Sequence, residues 1–260
     1  MWVDYIDYAG SLLAPGGIAW TDETALVALY RKAQGLLDSD VMVLPLWRLA
    51  SASIAGTPEL RAQMCAKTRA THPLRCLLAS EKLRTSCRNV AQALRTIYPG
   101  AILALSVPSP RLGVLLARRD ALGKESEISD VGAEEVDSAA PYMADFLRVF
   151  GDVDIDVLLL HESPETHPSQ AGEIEWYRPV LNVAAHYRWD VGLQLAHSGE
   201  VPDEGCVDFV VREQPETQPL EPTVVSLGQR TSFLYLRVPP GSAPEATLER
   251  LRAIRSTAGN

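Results

Sequence analysis

The chain has 260 residues, of which 47% are hydrophobic, with a formal net charge of -9 and an isoelectric point near 5.1. This length suits one large domain, residues 1–260, or at most two small ones, and the core can be large enough to need no disulfide or metal. The acidic balance argues against nucleic acid or an anionic membrane as the main partner. The four cysteines form no C-x-x-C motif, so neither a zinc ribbon nor a thioredoxin-type site is indicated.

The first residues, MWVDYIDYAG, have neither the basic start nor the apolar stretch of a signal peptide. No run of the sequence approaches the roughly 18 apolar residues that a membrane-spanning helix needs. We therefore expect a cytoplasmic protein with reduced cysteines. The sequence leaves the oligomeric state open, a homodimer included.

Short apolar runs recur along the chain, and most of them are continuous rather than alternating. Such runs are typical of strands in a parallel sheet that is covered on both faces. A further short run, at 16–20, is a candidate for an additional strand. The predicted strands are 41–47, 75–79, 101–107, 155–162, 190–197, 207–213, 223–228 and 233–238.

Amphipathic helices fit between many of these runs. The clearest covers 81–98, with Ser80 as its N-cap, and others are predicted over 138–150 and 171–188. Ser242 and Glu245 have the spacing of a capping box before a final helix. The acidic segment 123–138 is predicted to be a long loop, either solvated or a lid over the site.

Eight strands that alternate with helices in one domain of this length favour an α/β fold of the (β/α)8 barrel type. A doubly wound open sheet is the alternative. The barrel is expected to be abbreviated at its C-terminal strands. The proline-rich segment 214–222 is all that connects the runs 207–213 and 223–228, and residues 229–232 are all that separate 223–228 from 233–238. Neither connection can be an ordinary crossover helix.

The stretch 157-VLLLHESPE-165 joins a fully apolar run to a histidine and a glutamate. The carboxyl ends of parallel strands form the functional face in both candidate folds, so this strand end is a candidate site. Neighbouring strand residues point to opposite faces. We expect Glu162 to face the pocket as a general acid or base, above Leu158 and Leu160, with His161 under the helices.

His197 and Glu213 are the last residues of the next two runs and are predicted to be catalytic together with Glu162. The same three side chains could instead share a metal ion. The sequence contains no metal-binding motif, so the expected site holds no metal.

Arginines at the ends of other runs could hold a substrate carboxylate or phosphate, although each alone could equally form an ordinary surface ion pair. They are Arg48, Arg111 and Arg230, and Ser109 lies next to Arg111 in 106-SVPSPRLG-113, which could open a helix. No dinucleotide motif, P-loop or G-x-S-x-G motif occurs. We therefore expect a small carboxylated substrate and no cofactor.

The order of these pieces resembles the superfamily of uroporphyrinogen decarboxylase and cobalamin-independent methionine synthase. The strand 101-AILALSVPSP-110 is similar to the "GP-T" strand of that superfamily, and 204-EGCVDFVVRE-213 is similar to its "g-x-D-x-x-x-x-E" strand. The segments 139–163, 179–199 and 232–254 resemble its intervening and final elements. The resemblance covers about residues 100 to 255. It implies a (β/α)8 barrel with its pocket at the carboxyl-terminal mouth.

The resemblance also implies one of two chemistries: decarboxylation without a cofactor, or zinc-dependent methyl transfer. Glu213 matches a zinc-binding glutamate of the family, but Ala196, His197 and Ser198 stand where the zinc enzymes have H-x-C. The sequence 238-VPPG-241 replaces a histidine of the decarboxylases. We therefore expect a metal-independent lyase, such as a decarboxylase, or a group transferase. Two alternatives stay open: a catalytically silent barrel that binds a ligand or a partner subunit, and a zinc-dependent methyltransferase with Cys206 as a further ligand.

Overall fold

The computed structural model describes residues 1–123, 131–163, 173–195, 206–212, 220–227 and 231–258. The described strands are β1 (Trp2–Asp4), β2 (Val41–Pro45), β3 (Ile102–Pro108), β4 (Val157–His161), β5 (Asp190–Leu195), β6 (Phe209–Arg212), β7 (Thr223–Leu227) and β8 (Thr231–Arg237).

The described helices are α1 (Ile6–Leu13), α2 (Glu23–Leu37), α3 (Leu46–Gly56), α4 (Pro58–Met64), α5 (His72–Leu78), α6 (Glu81–Ile97), α7 (Pro110–Leu122), α8 (Ala133–Leu147), α9 (Arg178–Tyr187) and α10 (Pro244–Ala258). Short 3-10 turns at Arg148–Phe150 and Glu173–Tyr177 extend α8 and precede α9.

The described strands form two sheets. Strands β2 to β6 make a five-stranded, all-parallel sheet in chain order, and β1, β8 and β7 make a three-stranded mixed sheet. In the smaller sheet β1 runs parallel to β8, while β7 runs antiparallel to it. The fold class α/β is therefore right.

The predicted (β/α)8 barrel is wrong, because eight parallel strands do not form one closed sheet in the described part of the chain. The physical reason lies in the connections. Three residues separate β7 from β8, and a parallel crossover needs about a dozen or more residues. These two strands therefore pair as an antiparallel hairpin. The doubly wound alternative does not fit either, because the order of the larger sheet follows the chain and contains no reversal.

The two faces of the larger sheet are covered differently. One face packs against the helices in a large core that includes Leu105, Leu158 and Leu160. The other face meets the smaller sheet across a small core built, among the described residues, from strand side chains only. We call this the inner core; its buried members are Trp2, Val41, Ala104, Val157, Leu159, Phe209, Val211, Val225 and Tyr235.

The inner core is packed closely around aromatic rings. The Trp2 and Phe233 rings stack with their centroids 5.9 Å apart, and Phe209 meets Trp2 edge to face at 6.0 Å. A Cβ at Gly192 would lie 2.3 Å from the Phe209 ring, so only glycine lets this ring reach β5.

The predicted cap of α6 is confirmed, and other local predictions are corrected. Ser80 caps α6, where it accepts a hydrogen bond from the Leu83 N–H at 3.4 Å. The run 75–79 lies in α5 rather than in a strand, whereas β1 was not predicted. Ser242 bonds the Pro239 carbonyl oxygen instead of forming the predicted capping box. Residues 124–130 lie outside the described residues, and α8 already begins at Ala133, inside the predicted loop.

Candidate functional site

A polar pocket opens between the two sheets, at the carboxyl ends of the parallel strands. It has a volume of about 220 Å³, below the roughly 300–1,000 Å³ of pockets for drug-sized ligands. Its apolar walls come from the inner core and the residues next to it. We call this cavity the mouth pocket; its polar lining consists of Asp4, Asp7, Arg48, Ser106, His161, Gln194, Tyr235 and Arg237.

The wall formed by the larger sheet carries neutral hydrogen-bonding groups. His161 and Gln194 are register partners on β4 and β5, and the His161 Nε2 lies 2.8 Å from the Ser106 Oγ on β3. These side chains meet because residues of the same parity on parallel strands share a face. Ser106 and Gln194 are both buried. The wall therefore holds the imidazole in a fixed place above Leu159.

The pKa of His161 is lowered to about 4, first because burial disfavours the charged imidazolium and then because Arg48 and Arg237 lie nearby. The ring is consequently neutral near pH 7. A neutral imidazole has one nitrogen that accepts and one that donates, so it can take up a proton from a ligand.

Charged side chains form the opposite wall and the rim of the pocket. The Tyr235 hydroxyl donates to the Asp4 Oδ2 at 3.1 Å. The Arg48 Nη2 donates to the Asp7 Oδ1 at 3.0 Å, and the Arg237 Nη2 lies 3.8 Å from the Asp7 Oδ2. Asp7 thus lies between two guanidinium groups. Arg48 and Arg237 keep 55% and 39% of their side chains exposed, so a ligand can reach both.

The predicted orientation at the end of β4 is the reverse of what the structure shows. His161 faces the mouth pocket with Leu159, and Leu158 and Leu160 lie in the large core under the helices. Glu162 is buried on the helix side. The parity argument was sound, but the wrong face was assigned to the pocket, because the smaller sheet covers the side taken for the helix layer.

Glu162 accepts two short hydrogen bonds from buried hydroxyl groups. The Ser109 Oγ donates to the Glu162 Oε2 at 2.7 Å, and the Tyr177 hydroxyl donates to the Oε1 at 2.5 Å. Burial first, and then the Glu162 charge, raise the pKa of Tyr177 well above its ordinary value, so the phenol keeps its proton. We call these three residues the Glu162 cluster.

The remaining predicted residues are divided among different places. Arg48 lines the mouth pocket, and its predicted role in substrate binding stays a prediction. Ser109 is the N-cap of α7 and belongs to the Glu162 cluster. The Arg111 guanidinium lies over the Trp176 ring, 5.9 Å from its centroid, on the helix side.

His197, Glu213 and Arg230 lie outside the described residues, so their predicted roles stay predictions. Within the described ranges, no group of three or more histidine, cysteine or acidic side chains is arranged to hold a metal ion. Cys206 lies at the amino end of β6, where its Sγ is 3.9 Å from the Glu175 Oε1. This is the end of the strand away from the mouth pocket.

Several pocket residues were not predicted from the sequence. Asp4 and Tyr235 lie on strands of the smaller sheet, and Asp7 lies in the first turn of α1. A usable signal was present in 233-FLYLR-237, where Tyr235 and Arg237 share one face by the two-residue period of a strand. The three-residue β1 is too short to give a periodic signal.

Comparison with known proteins found no matching family model, no matching curated protein and no matching solved structure. Within the part of the chain that the structure describes, no helix combines the length and the apolar character needed to cross a bilayer.

Proposed function

We propose that the protein is an enzyme that acts on a small carboxylated molecule in the mouth pocket, as a metal-independent lyase or a group transferase. The observation that carries this proposal is the convergence of two arginines and a neutral histidine on one small cavity. In parallel α/β sheets, ligands bind at the carboxyl ends of the strands, where this cavity lies.

The arginines supply the recognition. Guanidinium groups bind carboxylates through charge-assisted hydrogen bonds, often with two parallel N–H donors. Asp7 contacts each arginine through one Nη2 atom, and a guanidinium has five N–H donors in total. A ligand carboxylate can therefore join or replace Asp7 at these two side chains.

His161 would move the proton. A pKa of about 4 makes it a weak base in the empty pocket. A bound carboxylate would offset the positive charges of Arg48 and Arg237 and so raise the pKa of His161 toward neutrality, where proton transfer is most efficient. In a decarboxylation, the bond between the carboxylate and its neighbouring carbon breaks, carbon dioxide leaves, and the imidazolium protonates that carbon.

Ligand binding tests the proposal directly. Native mass spectrometry of the purified chain would identify a co-purified acid, and calorimetry with propionate, malonate and succinate would measure affinity. We expect Arg48→Gln and Arg237→Gln each to weaken binding by about 10- to 100-fold, because a hydrogen bond to a charged group contributes about 1.5–3 kcal/mol.

The matched control is Arg88→Gln. Arg88 lies on α6, outside the lining of the mouth pocket, where its side chain is 40% exposed and pairs with Asp152. This variant should bind like the wild type. Equal weakening in all three variants, or binding that is insensitive to both pocket arginines, would refute the proposal.

A second candidate is a catalytically silent protein that binds the same ligand or a partner subunit. The low pKa of His161 favours it, because a group that is neutral at pH 7 is not an acid in the empty pocket. Conversion of a bound acid by the wild type separates the two candidates, because a silent binding protein leaves the acid unchanged. If the acid is converted, His161→Gln should lower turnover by about 100-fold or more.

The resemblance to the uroporphyrinogen decarboxylase and methionine synthase superfamily supports the lyase or transferase chemistry and stays a proposal. A cytoplasmic location is also proposed. All four cysteines are free thiols, which is typical of proteins in a reducing compartment.

A further inference from the structure

The Glu162 cluster joins three elements at one point behind the mouth pocket. Ser109 begins α7, Tyr177 immediately precedes α9, and Glu162 follows the last residue of β4. All three side chains are buried, with 0%, 2% and 5% exposure respectively. The carboxylate therefore ties the start of two helices to the end of one strand.

The end of β4 also carries His161. The backbones of His161 and Glu162 both form hydrogen bonds there. The Ser109 N–H donates to the His161 carbonyl oxygen at 2.8 Å, and the Glu162 N–H donates to the Gln194 carbonyl oxygen at 3.0 Å. Since consecutive strand residues point to opposite faces, the position of the Glu162 side chain fixes the direction of the His161 side chain.

Stability alone is a weak explanation for a buried carboxylate at position 162. Burying an ionised group costs several kcal/mol before its partners compensate, and apolar side chains often do as well or better. Two directed hydrogen bonds to one carboxylate define an orientation, which apolar contacts do less sharply. On the pocket face, the imidazole needs a defined orientation to stay within 2.8 Å of Ser106.

We propose that Glu162 is a positioning residue that, through Ser109 and Tyr177, fixes the end of β4 and keeps the His161 ring in its place on Ser106. This inference rests on the proposed function, in which His161 transfers the proton. Glu162 itself does not line the mouth pocket.

The test is the titration of His161 by nitrogen-15 NMR in the ligand-free protein, with His161→Gln to assign its signals. In the wild type we expect a pKa of about 4. In Glu162→Gln, a loosened strand end should expose more of the ring to water, and its pKa should rise by about one unit or more toward the ordinary value near 6.5. The nitrogen-15 signals of the two tautomers of the His161 ring should also begin to average.

The sign of this change separates positioning from a direct effect of charge. Removing a nearby carboxylate disfavours the imidazolium and by itself lowers the pKa of a histidine. Tyr177→Phe leaves the Glu162 charge in place and removes one of its hydrogen bonds, so it should also raise the pKa of His161. If Glu162→Gln does not fold, the result for Tyr177→Phe decides.

Ser39→Ala is the matched control. Ser39 is also buried, and its hydroxyl joins β1 to β2 through the Val3 N–H and the Val41 carbonyl oxygen, at the amino end of β2. This variant should lower stability and leave the His161 titration unchanged. An unchanged or lowered pKa of His161 in Tyr177→Phe, or an equal rise in Ser39→Ala, would overturn the inference. Carboxylate binding by the wild type tests the proposed function separately.

Discussion

The two faces of β4 carry polar residues of different kinds in different surroundings. On the pocket face, His161 meets a neutral wall and two exposed arginines. On the helix face, Glu162 is enclosed and satisfied by two hydroxyl groups. Adjacent residues thus differ in exposure and in partners, because a strand sends them into separate compartments.

The surroundings of the two side chains indicate which of them can meet a ligand. A buried carboxylate with two short hydrogen bonds has no open side toward the pocket, whereas an imidazole at a cavity can exchange a proton. Three measurements test this contrast between the two faces of β4, from the largest expected effect to the smallest.

The largest effect is expected from truncating the apolar side chains beneath these two residues. Leu160→Ala should lower the free energy of unfolding by about 2–5 kcal/mol, because Leu160 is fully buried in the large core. Leu159→Ala should cost less, because Leu159 borders the mouth pocket and water can enter the space that it leaves. Urea denaturation measures both values, and the reverse order would contradict the assignment of the faces.

The second effect is a dependence of stability on pH that comes from His161. Between about pH 6.5 and about pH 4, the unfolded chain binds a proton that the folded chain does not. The folded state should therefore lose up to about 3 kcal/mol as the pH falls through this window, with no further change from this group outside it.

His161→Gln should remove this part of the pH dependence. Substitution of the exposed His186 on α9 by Gln is the control and should leave it intact. Thermal denaturation of the three proteins between pH 4 and pH 8 (about the range in which a histidine titrates) makes the comparison. Parallel curves for wild type and His161→Gln would show that the pKa of His161 is not lowered in the folded chain.

The smallest effect distinguishes the hydroxyl groups on the two faces. Tyr177→Phe leaves the buried Glu162 with one donor fewer and should cost about 1–3 kcal/mol of stability. Ser106→Ala should cost about 1 kcal/mol or less, because His161 borders a cavity where water can replace the lost partner. Equal costs would mean that the two faces do not differ in their access to water.

Part of the fold follows from local sequence. The continuous run 157-VLLL-160 and the capped amphipathic helix that follows Ser80 can be recognised without tertiary information, because each depends on periodicity and on hydrogen bonds within a few residues. The run 75–79 shows the limit of this approach. A short apolar segment has no periodicity that tells a strand from a buried helix, and here it lies in α5.

Some features of the candidate site also follow from local sequence, whereas others depend on tertiary contacts. The sequence places His161 and Glu162 at the end of a buried strand, on opposite faces, because side-chain alternation is a local property of the backbone. Which face became the pocket depended on the smaller sheet, which brings Asp4, Tyr235 and Arg237 from the two ends of the chain against β3, β4 and β5. Those contacts join residues more than 200 positions apart, such as Asp4 and Tyr235, and no local pattern encodes them. Local sequence is therefore sufficient to recognise β4, α6 and the polar character of the strand ends, whereas long-range contacts are needed to establish that His161 rather than Glu162 faces the arginines.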